Sequence, residues 1–173
     1  MASIAKMRIH SFGGRELLHA DDVEPSLPDA GQALVAVRAA SVKPVDCKIR
    51  SGNYPSVKDD RLPYTLGRNF SGVVEKCGAQ ATRFKPGDEV FDMVNIYGGG
   101  YSEKVVVVER AITLKPAGID HVQAAVIPLA SQTAWQRLFR HGQLMAGQTV
   151  LIHGGSGGVG HYAVQFANAR GSA

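Results

Sequence analysis

Thr149-Val150-Leu151-Ile152-His153 runs straight into Gly154-Gly155-Ser156-Gly157-Gly158-Val159-Gly160, and the reading of this chain turns on that junction. The first five residues have the apolar, β-branched character of a short buried strand, and a helical stretch from Val159 to Ala169 follows the glycines. Strand, glycine loop and helix in immediate succession make one βα unit, and the glycines fit G-x-G-x-x-G at 155, 157 and 160. Gly155 is expected to make the tight turn, Gly157 to let backbone amides approach a pyrophosphate, and Gly160 to let the helix lie close on the strand. The helix N-terminus then faces the anion. A plain flexible glycine turn is the alternative, but it would not need a strand before it and a helix after it. Gly155, Ser156, Gly157, Gly158, Val159 and Gly160 are therefore candidates for dinucleotide binding. The acidic residue about 20 positions on, which selects NAD, would fall past Ala173, so NAD and NADP are not distinguished by spacing.

Upstream the texture is different. From Met1 to about Pro116, short runs rich in β-formers alternate with turn signals, as in a barrel or sandwich. The clearest runs are Ala33 to Ala39, Gly72 to Lys76, Glu89 to Val94 and Tyr101 to Glu109, and the valines at 105–108 predict a strand covered on both faces. Lys85-Pro86-Gly87-Asp88 suits a type II turn, and Gly98-Gly99-Gly100 a flexible turn before the valine strand. After Pro116 the pattern turns helical, opening at Asp120 with Gln123 as capping-box partner. Pro128 is expected to end that helix, and a second is expected from an N-cap at Ser131 to Arg140, stopped by Gly142.

The chain has 173 residues, 45% hydrophobic and 20% charged, with 20 glycines, which describes a folded, turn-rich protein. Its 19 basic and 15 acidic residues give a net charge of +4 but are interspersed, so nucleic-acid binding is not expected. Residues 1–10 hold no apolar stretch long enough for a secretory signal, and nowhere do about 18 apolar residues run together. Two cysteines, Cys47 and Cys77, are too few for a disulfide framework and read as small apolar residues. A soluble protein of the reducing cytoplasm, without membrane partners, is expected.

Several motifs together resemble the medium-chain dehydrogenases/reductases, specifically their zinc-independent, quinone oxidoreductase-like branch. They are Val42-Lys43-Pro44-Val45-Asp46, Arg50-Ser51-Gly52-Asn53-Tyr54-Pro55, Leu66-Gly67 leading to Ser71-Gly72-Val73-Val74, Phe84-Lys85-Pro86-Gly87-Asp88-Glu89-Val90, Pro128, Thr133-Ala134-Trp135, and the loop Gly154 to Gly160. The resemblance implies a mainly β GroES-like barrel domain over residues 1–120, followed over 121–173 by connecting helices and the first βα unit of an α/β Rossmann domain. Members are roughly twice this length, so the chain is expected to be the front part of a longer protein. Zinc-dependent members carry Cys at the position of Lys43 and His-Glu at Arg68-Asn69. Cationic side chains cannot replace thiolate and imidazole ligands, and Pro128-Leu129 and Val94 to Tyr101 supply no cysteines either. No zinc is expected.

What the resemblance implies for function is hydride transfer from NADPH, with NADH the alternative, to a quinone or an α,β-unsaturated carbonyl. Such acceptors delocalise charge onto an oxygen that one hydrogen-bond donor can stabilise, whereas alcohol oxidation leans on a Lewis acid. A homodimer is expected of the full-length protein. The alternatives are a zinc-free alcohol or aldehyde dehydrogenase, and a non-catalytic binding or assembly module. The catalytic candidates are Lys43 and Tyr54. The quinone branch resembles Asn at position 43 and Tyr at 48 and 54, and only Tyr54 matches, Lys43 and Lys48 departing. Lys43 reads equally as donor to a developing enolate or as a solvated surface lysine. Tyr54 reads as substrate contact or as a ring capping the barrel. Asp46 reads as a loop-fixing hydrogen-bond acceptor ahead of catalysis. Asn95, Ser131 and Thr133 are placed by the resemblance near the nicotinamide, each with a local capping or turn explanation beside it. Trp135 reads as an anchor between domains, and His153 and His161 merely flank the loop.

Overall fold

Small and branched apolar residues alternate through Gln32–Ser41, and this strand, β3, is the longest in the computed structural model, which describes residues 3–172. The other elements are β1 (Ile4–Ile9), β2 (Leu18–Val23), α1 (Pro44–Arg50), β4 (Tyr64–Thr65), β5 (Asn69–Cys77), β6 (Glu89–Met93), β7 (Lys104–Val108), β8 (Thr113–Leu114), α2 (His121–Trp135) and α3 (Gly160–Ala169). The chain divides into two compact units between Val126 and Ile127.

The first unit holds two antiparallel sheets, one of order β7-β3-β5-β6-β8 and a smaller one of order β2-β1-β4. The two are tied by the Lys6–Ser102 bridge and by the Met7 amide donating to the Tyr101 carbonyl at 2.8 Å. Pairing of β3 with β5 runs from Ala33 opposite Cys77 to Ser41 opposite Asn69, with register shifts after Leu34 and after Val37. Strand side chains alternate faces, so Phe70 and Val74 enter one core with Val35, Val90 and Val105. Asn69 and Ser71 take the opposite face. Burying a side chain such as Phe70 contributes about 1.5–3 kcal/mol. Lys85 to Asp88 form the expected turn, Gly87 having φ 96° and the Asp88 amide donating to the Lys85 carbonyl.

Three expectations are corrected. The valine run is not covered on both faces: β7 is an edge strand whose Val105 and Val107 are buried while Val106 is half-buried and Val108 exposed. Pro128 does not end a helix, since α2 is continuous to Trp135 and passes into a π-helical turn, Gln136–His141, before Gly142. An interior proline costs about 3 kcal/mol. Here Ala124, Ala125, Ala130 and Ala134 are all buried along the helix, and side chains supply hydrogens to carbonyls near the proline, as described below. The cap at the start of the helix is as expected: Asp120 Oδ1 accepts the Gln123 amide at 2.7 Å and Gln123 Oε1 accepts the Asp120 amide at 3.0 Å. Third, Thr149 to His153 carries no ladder bonds and is not a strand, because no described strand lies beside it to pair with.

In the second unit, Ala134, Leu138, Ala163 and Ala167 are buried, with Phe139, Val150, Ile152 and Phe166 packed against them. Among the described residues no helix is long and apolar enough to cross a membrane. Phe70→Ala is expected to destabilise the first unit by about 3–5 kcal/mol. Val108→Ala, on the exposed edge, should stay within about 0.5 kcal/mol. Urea midpoints at unchanged slope compare the two.

Candidate functional site

Lys43 lies where β3 hands the chain to α1. Pro44 occupies the first helical position, where its fixed φ suits the turn and its missing amide costs nothing, and Lys43 before it is extended. The Lys43 amide donates to Asp46 Oδ2 at 2.7 Å, and the Tyr101 hydroxyl donates to the same oxygen at 3.0 Å. Asp46 is buried, and burial pushes its carboxyl above the usual range against the opposing pull of the Lys43 amide, Tyr101, the Gly67 amide and the Arg68 charge. The Tyr101 phenol is pushed well up by burial first and by Asp46 second. Tyr64, whose hydroxyl donates to the Ile96 carbonyl, is pushed up to about 12, chiefly by burial. Asp46 therefore caps α1 and braces it against Tyr101 rather than preceding a simple turn. The seven-residue helix itself is too short to show a periodic signal.

The Lys43 side chain is neither free nor fully solvated. Its Nζ donates to the Val126 carbonyl at 2.8 Å, and Ser41 Oγ donates to the Ala125 carbonyl at 2.8 Å, one turn into α2 and just before Pro128. Burial lowers the Lys43 pKa, with Asp46 opposing. Arg68 Nε donates to the Val94 carbonyl at 3.3 Å. Both cations thus spend N–H bonds on carbonyls, and neither offers a lone pair to a divalent metal. Among the described residues no group of three or more His, Cys, Asp or Glu side chains is arranged to hold one. Asn69 is fully buried, with neither its side-chain oxygen nor its nitrogen hydrogen-bonded among the described residues.

Tyr54 is half-buried and packs against a core of Ile9, Ile49, Val57, Tyr64 and Leu66, together with Ile96 and Tyr101. Tyr101, packed against the same core, donates its hydroxyl to Asp46 Oδ2. Asn95 is exposed and its Oδ1 accepts the Tyr97 amide at 2.8 Å, which closes a local turn. Cys47 lies exposed on α1, contrary to its reading as a small apolar residue, while Cys77 is half-buried with its thiol on the Phe84 carbonyl.

In the second unit the loop 154–158 is mostly exposed and leads into α3. Gly160 is buried and seated on the loop: a Cβ there would lie 2.0 Å from the Gly154 carbonyl oxygen. Only glycine permits that approach, which brings the opening of α3 against residues 154–155. The Gly157 amide donates to the Gly154 carbonyl at 2.9 Å, tightening the turn. A pyrophosphate fits such a loop, since it presents small residues and exposed backbone at a helix N-terminus. Thr133 Oγ1 donates to the Leu129 carbonyl at 2.6 Å and Ser131 Oγ to the Pro128 carbonyl at 3.3 Å, both within α2. The Trp135 ring meets Phe139 and Phe166 edge-on.

Residues 29–117 match the alcohol dehydrogenase GroES-like domain. The chain belongs to that family, within the quinone oxidoreductase-like part of the medium-chain dehydrogenases/reductases. It is 40% identical over 166 residues to a quinone oxidoreductase of Pongo abelii, covering 95% of this chain and 50% of that protein. Among solved structures it resembles the quinone oxidoreductase of Coxiella burnetii, with a TM-score of 0.90 at 32% identity, covering 98% of this chain and 55% of that one. It also resembles the Escherichia coli quinone oxidoreductase complexed with NADPH, with a TM-score of 0.85 at 31% identity, covering 97% and 50%. The chain spans about half the length of the relatives it matches.

Asp46 gives a pH prediction. Its folded carboxyl titrates above its unfolded one, so the native state carries a penalty at neutral pH that lifts as pH falls through the raised value. Wild type should therefore gain stability relative to Asp46→Asn between about pH 7 and about pH 4, measured by urea unfolding of both. Gly160→Ala should destabilise the second unit by about 1–3 kcal/mol. Trp135, the sole tryptophan and in ring contact with Phe166 of α3, reports this as an earlier fluorescence transition.

Proposed function

We propose that the protein carrying this chain is an NADPH-dependent reductase that delivers hydride to a quinone or an α,β-unsaturated carbonyl without zinc. The observation that carries the reading is Gly160 seated on the Gly154 carbonyl, a turn that would suit a phosphate, and the likeness to quinone oxidoreductases supports it. Backbone amides of Gly155 to Gly160 would hold the pyrophosphate of NADPH, which when bound supplies the hydride. Asn95 and Thr133 are proposed to face the nicotinamide end, beyond the local bonds they make.

Lys43 is assigned the acceptor oxygen. Its ammonium has three hydrogens and donates one of them to Val126, which aims the group while leaving two for an oxyanion. When hydride reaches the β-carbon of an enone, the electron pair moves to oxygen, and a preorganised cation stabilises it there before the α-carbon takes a proton. A quinone accepts hydride in the same sense, and its phenolate then takes a proton. Tyr54 is proposed to contact the acceptor.

The test is NADPH consumption by the whole protein with a quinone and with an enone. Lys43→Met should lower kcat by about 10²–10³-fold, the usual cost of one oxyanion donor, with little change in the dissociation constant for NADPH. A whole protein that binds no dinucleotide, or that turns over simple alcohols but neither acceptor, would sink the proposal.

A further inference from the structure

We propose that Asp46, braced by Tyr101, is a positioning residue for Lys43: one carboxylate oxygen fixes the lysine's backbone, and the charge on that carboxylate keeps the side chain an ammonium. This role rests on the reading of Lys43 as donor to the acceptor oxygen. Lys43 is held at both ends. Its amide donates to Asp46 Oδ2 at 2.7 Å, its carbonyl accepts the Asp46 amide at 2.9 Å, and its Nζ donates to the Val126 carbonyl at 2.8 Å. The stem of a lysine is flexible, so an ammonium anchored at neither end would have to be ordered during the reaction. With both ends fixed, the group stands ready before charge develops on the acceptor.

Asp46 is placed in turn by contacts from far along the chain. The Tyr101 hydroxyl donates to Oδ2 at 3.0 Å across 55 residues. The segment that carries Tyr101 is tied down beside it, since the Gly100 amide donates to the Gly67 carbonyl and the Tyr101 amide to the Leu66 carbonyl, each at 2.8 Å. Gly67 has φ 93°, and a Cβ there would collide with the Tyr101 ring. The ring therefore lies flush against a glycine, which aims its hydroxyl at the carboxylate. Asp46 Oδ2 thus joins three pieces of chain: the end of β3 through Lys43, the first turn of α1, and the segment before β7.

The charged and titratable groups about this pair are Arg68, Tyr64, Tyr101 and Cys47. Arg68, just before β5, favours the Asp46 carboxylate while its Nε donates to the Val94 carbonyl. Burial chiefly pushes up both Tyr64 and Tyr101, so neither adds a charge where lysines titrate. Cys47 lies beside Tyr101 on α1. Asp46 is the carboxylate that acts on Lys43: burial lowers the lysine's pKa, and Asp46 opposes the change. A neutral amine still donates N–H, but a charge-assisted bond to an oxyanion is about twice as strong. Loss of the Asp46 charge would therefore discharge Lys43 at lower pH and weaken its hold on the acceptor oxygen there.

Asp46→Asn separates position from charge. An amide oxygen still accepts the Lys43 amide and the Tyr101 hydroxyl, so the cap is kept while the charge is lost. In the whole protein with ¹³C-labelled lysine, the Lys43 Cε resonance is assigned by its loss in Lys43→Met. It should titrate about one pH unit lower in Asp46→Asn than in wild type. The alkaline fall of kcat should move by the same interval, with the KM for NADPH unchanged. Tyr101→Phe keeps the charge and removes the brace, so it should leave the Lys43 midpoint in place and lower kcat about three- to tenfold. A Lys43 midpoint that does not move in Asp46→Asn, or a wild-type kcat in Tyr101→Phe, would overturn the proposal. The resonance is read without substrate, so a shifted midpoint beside a rate that ignores it supports the pairing of Asp46 with Lys43 and counts against the reductase role of Lys43.

Discussion

The antiparallel pairing of β3 with β5 is the constraint from which the rest of the first unit follows. It sets Ser41 opposite Asn69 and Ala39 opposite Ser71, and paired residues share a face. On one face Phe70 and Val74 build the core; on the other, Ser41, Asn69 and Ser71 form a polar row that receives the opening of α2. A slip of one residue would exchange the two faces, burying three polar side chains in the core and offering phenylalanine to the helix. The strand also ends at Ser41, two residues before the helix cap, so the same register delivers Lys43 to its place. Gly72 is part of this: a Cβ there would lie 2.1 Å from the Ala36 carbonyl oxygen, so β3 and β5 approach to a distance only glycine allows.

Helix α2 shows how an unfavourable residue is kept. Pro128 leaves the Ala124 carbonyl without its amide and crowds the turn before it. The next two carbonyls, of Ala125 and Val126, receive Ser41 Oγ and Lys43 Nζ, so the strained turn is held by donors from the strand and from the cap of α1. Small side chains line the buried face, which lets the helix lie close. The same contacts that tolerate the proline are those that orient the lysine.

Local rules were legible in the sequence, and non-local ones were not. The capping pair Asp120 and Gln123 and the Pro86-Gly87 turn each rest on residues within three positions of one another, and each is found. The continuation of α2 through Pro128 was missed because its support comes from residues 41 and 43, more than 80 positions away. Tyr101 was legible only as the start of a β-rich run: its bond to Asp46 spans 55 residues, as the bond between Ser71 and His121 spans 50. The valine run misled because four identical residues do not say which face meets water; that is decided by β7 standing at the sheet edge. Thr149 to His153 has strand composition, but a strand exists only with a neighbour to pair with.

The proposed role of Lys43 sets a cation where the sequence resemblance implies a zinc ligand, and a cation and a metal solve different electrostatic problems. A metal polarises an oxygen at contact distance but must be caged by anionic or neutral donors. A cation needs no cage, only a surround that does not neutralise it. The Lys43 ammonium donates to the Val126 carbonyl, and the nearby Asp46 carboxylate, which favours the charged lysine, accepts the Lys43 amide and Tyr101 through Oδ2. Unit charges about 4 Å apart interact by about 4 kcal/mol at an effective dielectric of about 20, against about 1 kcal/mol in water. Partial burial of Lys43 thus does two things together: it eases loss of the ammonium proton and strengthens the ammonium's hold on any negative charge that forms beside it. The Val126 carbonyl accepts one N–H of the ammonium and leaves the other two for such a charge.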